Sequence, residues 1–492
     1  MFHPSAKGMS LFLLLVTNRL KHRPVINISD DVLVEIFDAC RLDNTNPDQY
    51  PQYWWHKLAH VCRGWRRVLL ESPNRLGTTL ICTSRTPVSD LLAHSPPLPI
   101  IVYYGNPEPL DGQDDVNDIL LALQHPDRVR RINLHLPSAS MHKVFKSMQG
   151  PFPTLETLQL YCSSYDNKNA TLPSTFEAPN LRHLQMSDFT LVPQRLPPLT
   201  TAVCPSSLVT FSLGEVAPAK YQSPALLAEC LAIMPQLKRM KIGYLFPVER
   251  KKPEVGSSRE KSPPQVLLAN LEEIQFKGES KYIEALSAQI SAPSLKKLSI
   301  TFTDGFKRFE FPFLLGLING AADLSFQFAR VRHKGNLSLV MDHKELWTGC
   351  GAFELILDGH SVPVKEELKL VTQLFGGLEF KLSAVKSLLL EYAQGPSWWS
   401  GDVDRAMWHR LLRFLGGLET LRVADKFVSE LDSALQPDAK DEESVRALLP
   451  KLRTIVCYGA EVKNFEAFVA SRKHAGMDIT VESGPRNRFP TV

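Results

Sequence analysis

His56 and His60 stand four residues apart, a spacing that puts two imidazoles on one face of a helix and could begin a metal site. A zinc site needs three or four converging ligands. No third ligand is evident in this sequence, so both are read as surface histidines, and no metal or cofactor is expected. The other arrangements that carry chemistry are missing. There is no Gly-x-x-x-x-Gly-Lys-Ser/Thr phosphate loop, no Gly-x-Ser-x-Gly elbow and no His-Glu-x-x-His. The eight cysteines form no Cys-x-x-Cys pair and are scattered along the chain, as suits reduced, mostly buried thiols in an intracellular protein. Trp398-Trp399, after Gly395-Pro396, reads as either a packing plug or a binding hot spot, with packing preferred because large aromatics mostly bury area inside a domain. The chain is read as not an enzyme, and an enzyme on an α/β solenoid is the least favoured reading.

At 492 residues, with 44% hydrophobic residues and a net charge of +4, the chain is an ordinary globular sequence, long for one compact domain unless that domain is built of repeats. The small net charge and the lack of a basic stripe with interleaved aromatics argue against a nucleic-acid partner. Leu11 to Val16 is too short an apolar run to span a bilayer. The Asn18 to Arg23 segment after it offers no clear cleavage site, so 1–23 is expected to be a disordered extension. No membrane partner is expected, and the expected location is cytoplasmic, nuclear or both.

The elements begin with two amphipathic segments. Ser29 can cap a helix whose first turn carries Asp30 and Asp31, where the helix dipole favours negative charge. Val32, Leu33, Ile36, Phe37 and Cys40 follow at helical spacing. In the second segment Leu58, Val61, Cys62, Trp65, Val68 and Leu69 fall at i, i+3, i+4, i+7, i+10 and i+11, which predicts one continuous helix. Two short helices cannot bury stripes this wide against each other, so the surplus must meet a partner or the downstream domain. By spacing alone, a helical hairpin capping a larger core fits equally well.

The order of the residues is more specific. Pro24, Ile28, Leu33, Ile36-Phe37, then Val61-Cys62-Arg63-Gly64-Trp65-Arg66, then Ser72-Pro73 resembles an F-box, the helical module that docks onto a cullin-RING ubiquitin ligase through a Skp-type adaptor. Leu42 to Trp55 is a longer connection than the family's usual one, and Gly77 stands where many relatives carry Trp. The resemblance implies adaptor contacts by Pro24, Ile28, Leu33, Ile36, Phe37, Val61, Cys62 and Trp65.

From about residue 111 an apolar-x-x-apolar-x-apolar pattern recurs, first as Val129-Ile132-Leu134, Leu155-Leu158-Leu160, Leu181-Leu184-Met186 and Leu208-Phe211-Leu213. Leu237-Met240-Ile242, Leu271-Ile274-Phe276 and Leu295-Leu298-Ile300 continue it, and it resumes at Val385-Leu388-Leu390, Leu418-Leu421-Val423 and Leu452-Ile455-Cys457. Weaker copies are read at Ala321-Leu324-Phe326 and Ala352-Leu355-Leu357. Clear consecutive copies start 24 to 34 residues apart, a loosely kept leucine-rich-repeat period. Helical segments precede several copies, among them Asp115 to Gln124, Ser280 to Ile290 and Asp441 to Leu449; one after Asp402 stops at Gly416-Gly417, and one is capped by Ser223-Pro224. A generic α/β domain with amphipathic strands is the blander reading.

The fold expected is therefore α/β: a helical F-box over 24–80, then a leucine-rich-repeat-like solenoid or horseshoe of short parallel strands and helices over 81–483, and a tail over 484–492. This arrangement is similar to that of large fungal F-box families. The resemblance implies a substrate-recognition subunit of an SCF-type ligase, with a Skp-type adaptor, a cullin reached through it and an unknown target protein as partners. The alternative is an interaction scaffold with no ligase role. Outward strand residues would hold the target, among them Arg182, His183, Lys238, Arg239, Lys241, Lys296 and Lys297. Residues 247–264 combine Pro, Gly, Ser and charge, a composition that cannot bury a core, and are expected to form a surface loop. Limited proteolysis should cut there first and leave two fragments associated; resistance to cutting with high amide protection would contradict the assignment.

Overall fold

The computed structural model describes residues 29–43, 54–71, 79–83, 86–94, 97–105, 113–162, 172–173, 175–187, 206–216, 223–244, 265–304, 310–333, 337–343, 351–357, 364–392, 405–424, 426–436, 448–458, 465–474 and 476–484. The 1–23 extension, the 247–264 segment, Trp398 and Trp399 lie outside them. The chain divides into two compact units, Met1–Ser163 with Thr175–Ala178, and Ser164–Ser174 with Pro179–Val492.

The first unit opens with helices α1 (Asp30–Asp43), α2 (Trp54–Ala59) and α3 (Arg63–Glu71). The continuous helix expected from Leu58 to Leu69 is broken between α2 and α3. Cys62 caps α3, its Sγ accepting the Trp65 N–H at 3.5 Å. Arg66 reaches back and donates from Nε to the Ala59 carbonyl at 3.0 Å, closing the end of α2. These two bonds satisfy backbone groups that a helix break leaves open, which is why an unbroken apolar period does not require an unbroken helix. Strands β1 (Leu80–Cys82), β2 (Ile100–Tyr104), β3 (Val129–Leu136) and β4 (Thr157–Cys162) then pair in parallel, in chain order. Helices α4 (Val88–His94), α5 (Gln113–Leu123) and α6 (Ser138–Ser147) connect them. The repeat thus begins earlier than residue 111. Its first two strands use Cys82, Val102 and Tyr104 at the inward positions in place of leucines and escape a leucine-based pattern.

The second unit starts with β5 (His183–Ser187), β6 (Thr210–Val216), α7 (Pro224–Ala232), β7 (Arg239–Tyr244), β8 (Val266–Leu267), β9 (Glu273–Gly278), α8 (Ser280–Ser287), β10 (Ile290–Ser291) and β11 (Lys297–Phe302). It continues through α9 (Pro312–Gly320), β12 (Phe328–His333), β13 (Leu337–Asp342), β14 (Phe353–Leu357), α10 (Val364–Gly377), α11 (Glu379–Leu382) and β15 (Ser387–Tyr392). It ends with α12 (Arg405–Arg413), β16 (Thr420–Ala424), α13 (Lys426–Leu435), β17 (Thr454–Tyr458), α14 (Glu466–His474) and β18 (Thr480–Gly484). Strand order in its main sheet is β5-β6-β7-β9-β11-β14-β13-β12-β15-β16-β17-β18, while β8 and β10 form a separate pair.

All thirty apolar residues of the ten clear copies are at most 6% exposed. The first of each trio sits just before its strand, except Val129, which opens β3, and the second and third point inward from the strand. In most copies a recurring turn sets this up, the first residue's N–H bonding the carbonyl three residues back, as in Leu237 to Met234, Leu271 to Leu268, Leu295 to Ala292 and Leu452 to Leu449. The two weaker copies are misplaced. Lys386 N–H bonds the Gln327 carbonyl, and Ala329 and Val331 lie opposite Leu388 and Leu390, so the copy there is Phe326-Ala329-Val331. Similarly, Phe353 and Leu355 lie opposite Leu298 and Ile300, two residues earlier than the pattern suggested. Strand periodicity repeats every two residues and cannot detect a shift of two.

An all-parallel sheet is also not what forms. β11 pairs in parallel with β14, and β12 with β15, but β13 runs antiparallel to both β12 and β14. The chain passes beyond its next place in the sheet, turns back through β13 and fills the gap with β14. This reordering places Arg330 and Arg332 of β12 beside Glu391 of β15, whose side chain is 7% exposed. Arg330 meets Glu391 Oε2 from Nε at 2.7 Å and Nη2 at 2.5 Å, and Arg332 Nε lies 3.7 Å from the same oxygen.

Helix ends are tied to neighbouring repeats by polar side chains. Ser223 caps α7, accepting from Leu226 N–H at 3.2 Å, as its sequence predicts. Glu284 of α8 accepts from Phe313 and Leu314 N–H at 2.9 Å at the start of α9, and Asp304 accepts from Ser280 N–H at 2.7 Å. Lys381 donates to the Ala321 and Leu324 carbonyls at 2.8 and 2.7 Å, and burial lowers its pKa. Arg472 donates to the Leu448 and Leu449 carbonyls, holding Leu449 at φ 53, with its own pKa also lowered by burial. The helix expected over Asp441 to Leu449 lies mostly outside the described residues.

Removing one partner of a buried, hydrogen-bonded charge group is far costlier than removing an exposed pair. Glu391→Ala should destabilise the second unit by about 3 kcal/mol in urea unfolding. Lys386→Ala, which breaks the exposed Lys386–Glu419 pair at 3.8 Å, should cost less than about 0.5 kcal/mol. Equal midpoints for the two variants would contradict the role given to Glu391.

Candidate functional site

Two surfaces carry the residues that the sequence singles out. The first is on the N-terminal helices. Leu33, Val34, Phe37, Trp55, Leu58, Val68 and Leu69 are buried and make the core there. Phe37 meets Trp65 edge to face, with ring centroids 5.2 Å apart. The α1 and α3 ends are joined by Arg67, which reaches Asp30 at 2.9 Å and Glu71 at 3.6 Å. Of the eight residues assigned to the adaptor, Leu33 and Phe37 lie inside this core, while Ile36, Val61, Cys62 and Trp65 stay partly exposed. Pro24 and Ile28 lie outside the described residues. Val32, from the same stripe but not among the eight, is 51% exposed. These helices therefore keep a strip of partly uncovered apolar side chains along α1 and the α2–α3 junction. The signal for splitting core from strip was not available in a period of 3.6, which reports burial without saying against what.

The second surface is the outward face of the strands in the second unit. The register lines up His183, Thr210, Arg239, Glu273 and Lys297 across five neighbouring strands. One residue earlier, backbone bonds align Arg182, Val209, Lys238, Glu272 and Lys296. Two residues on from the first row come Gln185, Ser212, Lys241, Gln275, Ser299 and Glu354. The seven residues assigned to the target thus lie on one stretch of sheet, but in two electrostatic classes. Lys296 is 3.5 Å from Glu272 and Lys297 is 3.3 Å from Glu273, so both are met by a neighbouring carboxylate. His183 Nδ1 is 3.1 Å from Thr210 Oγ1. Arg182, Lys238, Arg239 and Lys241 are exposed and form no ion pair with any described residue.

The Arg330–Glu391–Arg332 group on this face escapes the sequence pattern, which places the repeat over Ala321 to Phe326. The alternation Arg330-Val331-Arg332 was its one sequence trace, polar residues flanking an inward valine.

Among the described residues no group of three or more His, Cys, Asp or Glu side chains could hold a metal. His60 is exposed, and the His56 side chain lies outside the described residues. No disulfide joins the described cysteines. Burial pushes the Cys82 thiol up to about 12 and Cys457 up to about 11, which keeps both protonated and unreactive. Among the described residues no helix is long and apolar enough to cross a membrane.

No protein-family model matches the chain, and no curated protein matches it. Solved structures similar to it include the crystal structure of a TLR13–ssRNA13 complex, at 11% identity and a TM-score of 0.30, covering 82% of this chain and 49% of that one. Another is the leucine-rich repeat-containing protein LegL7 from Legionella pneumophila, at 10% identity and a TM-score of 0.25, covering 82% of this chain and 99% of that one. The chain spans about half the length of the TLR13 chain.

Proposed function

We propose that this chain is the substrate-recognition subunit of an SCF-type cullin-RING ubiquitin ligase. The N-terminal helices hold a Skp-type adaptor, and the strand-and-helix repeats hold a target protein. The observation that carries the reading is the partly uncovered strip Val32, Ile36, Val61, Cys62 and Trp65 on helices whose residue order resembles an F-box. Apolar side chains left together at a surface favour a protein partner. The mechanism is one of proximity: holding target and ligase on one chain raises the effective concentration of the reacting groups, and the transfer chemistry belongs to other subunits. This reading requires no catalytic residue, metal or cofactor here, and it places the protein in the cytoplasm, the nucleus or both.

An interaction scaffold that binds targets without an adaptor is the second reading. It is favoured by the burial of Leu33 and Phe37, two of the eight residues that the resemblance assigns to the adaptor. Co-purification separates the two, since adaptor together with cullin supports a ligase subunit and their joint absence supports a scaffold.

Trp65 lies partly exposed against Phe37, so truncating it removes contact area from both the strip and the core. Trp65→Ala should weaken adaptor binding by about tenfold or more, equivalent to about 1.4 kcal/mol. The more exposed Val32→Glu should weaken it comparably with no loss of helix content by circular dichroism. Unchanged adaptor affinity in both variants would contradict the docking role.

A further inference from the structure

We infer that the patch formed by Arg182, Lys238, Arg239 and Lys241 is the docking site for an acidic, carboxylate-rich segment of the partner protein. The inference deepens the reading of the repeats as the target-binding part of the chain, and rests on it.

The carboxylates of this sheet point away from the patch. Arg239 and Glu273 are register partners on adjacent strands and would ordinarily pair. Instead Glu273 is engaged from the far side by Lys297 at 3.3 Å and by Gln275 Nε2 of its own strand at 2.7 Å. Its neighbour Glu272 is likewise turned to Lys296 at 3.5 Å. The fold thus turns Glu272 and Glu273 to Lys296 and Lys297 and leaves Arg239 and Lys241 of β7, with Lys238 just before it, as exposed cations. Arg182 adds a fourth beside β5, in the same backbone row as Lys238. Like charges grouped within a few ångströms of one another at a surface disfavour the folded state. An acidic partner segment would relieve that repulsion.

The setting favours a peptide over a nucleic acid. From β5 to β7 the patch spans two strand spacings, about 10 Å, and Glu272 and Glu273 border it on β9. A phosphate backbone tracking across the strands would run into those carboxylates. The outward residues of β5, β6 and β7 include no Phe, Tyr or Trp on which bases could stack, and the imidazole of His183 is bonded to Thr210. Thr210 and Gln185, each partly exposed, line the same rows and can bond a peptide's backbone or side chains.

The test uses the full chain without adaptor, so a failure of the adaptor reading leaves it interpretable. Fluorescence anisotropy would follow a short labelled peptide of Glu and Asp, a phosphoserine peptide without carboxylate side chains, and a single-stranded oligonucleotide. The acidic peptide should bind best, with affinity falling as salt rises. The Arg182→Ala/Lys238→Ala/Arg239→Ala/Lys241→Ala variant should lose about tenfold or more in affinity, while Lys296→Ala/Lys297→Ala stays within about twofold. The charge-retaining Lys238→Arg/Arg239→Lys/Lys241→Arg variant should bind like the parent, which separates charge from any loss of folding. Equal losses in the two alanine variants, tighter binding of the phosphopeptide or the oligonucleotide, or no binding of the acidic peptide would overturn the inference.

Discussion

Cross-strand register is the constraint on which the rest depends. Each clear repeat buries two apolar side chains from its strand and, in all but the β3 copy, a third from just before it. Because side chains alternate along a strand, fixing the inward residues also fixes which residues face outward and which neighbours they meet. Leu298 opposite Ile274 necessarily sets Lys297 beside Glu273, and Ile300 opposite Phe276 sets Ser299 beside Gln275. The polar surface is therefore a consequence of the core pattern.

Charge then separates parts of that surface by how deeply they sit. Near β12 and β15 the sheet reorders, and one largely buried carboxylate serves two arginines, a group whose loss leaves partly buried cations without it. On β9 and β11 the pairs are more exposed, and worth little to stability. On β7 the cations form no ion pair with a described carboxylate. Structural need thus falls from β15 towards β7, and the residues least needed for folding are those best placed to meet a partner.

Much of this was legible in the sequence. The ten clear trios identify the inward face correctly, because strong apolar side chains at fixed spacing leave little freedom of register. The Ser223-Pro224 start of α7 was equally readable, because its capping chemistry is local. What the sequence did not reveal is non-local. The reversal through β13 depends on which strands find each other, and the trios at Phe326 and Phe353 are displaced from the spacing-based ones by five and two residues. The break between α2 and α3 went unseen because Cys62 and Arg66 satisfy the freed backbone groups without interrupting the apolar period. The paired and unpaired lysines of the target face are identical in sequence terms, and differ only in which strand lies beside them.

The central claim is that the N-terminal helices are a docking module and the repeats a separate recognition surface. Hydrogen–deuterium exchange on the full chain, with and without a purified Skp-type adaptor, tests it most directly. The account predicts that the adaptor increases protection in Asp30–Asp43 and Arg63–Glu71 and leaves the amides of β5 to β11 unchanged. A complex that protects the strands instead, or no complex at concentrations where related modules bind, would contradict it.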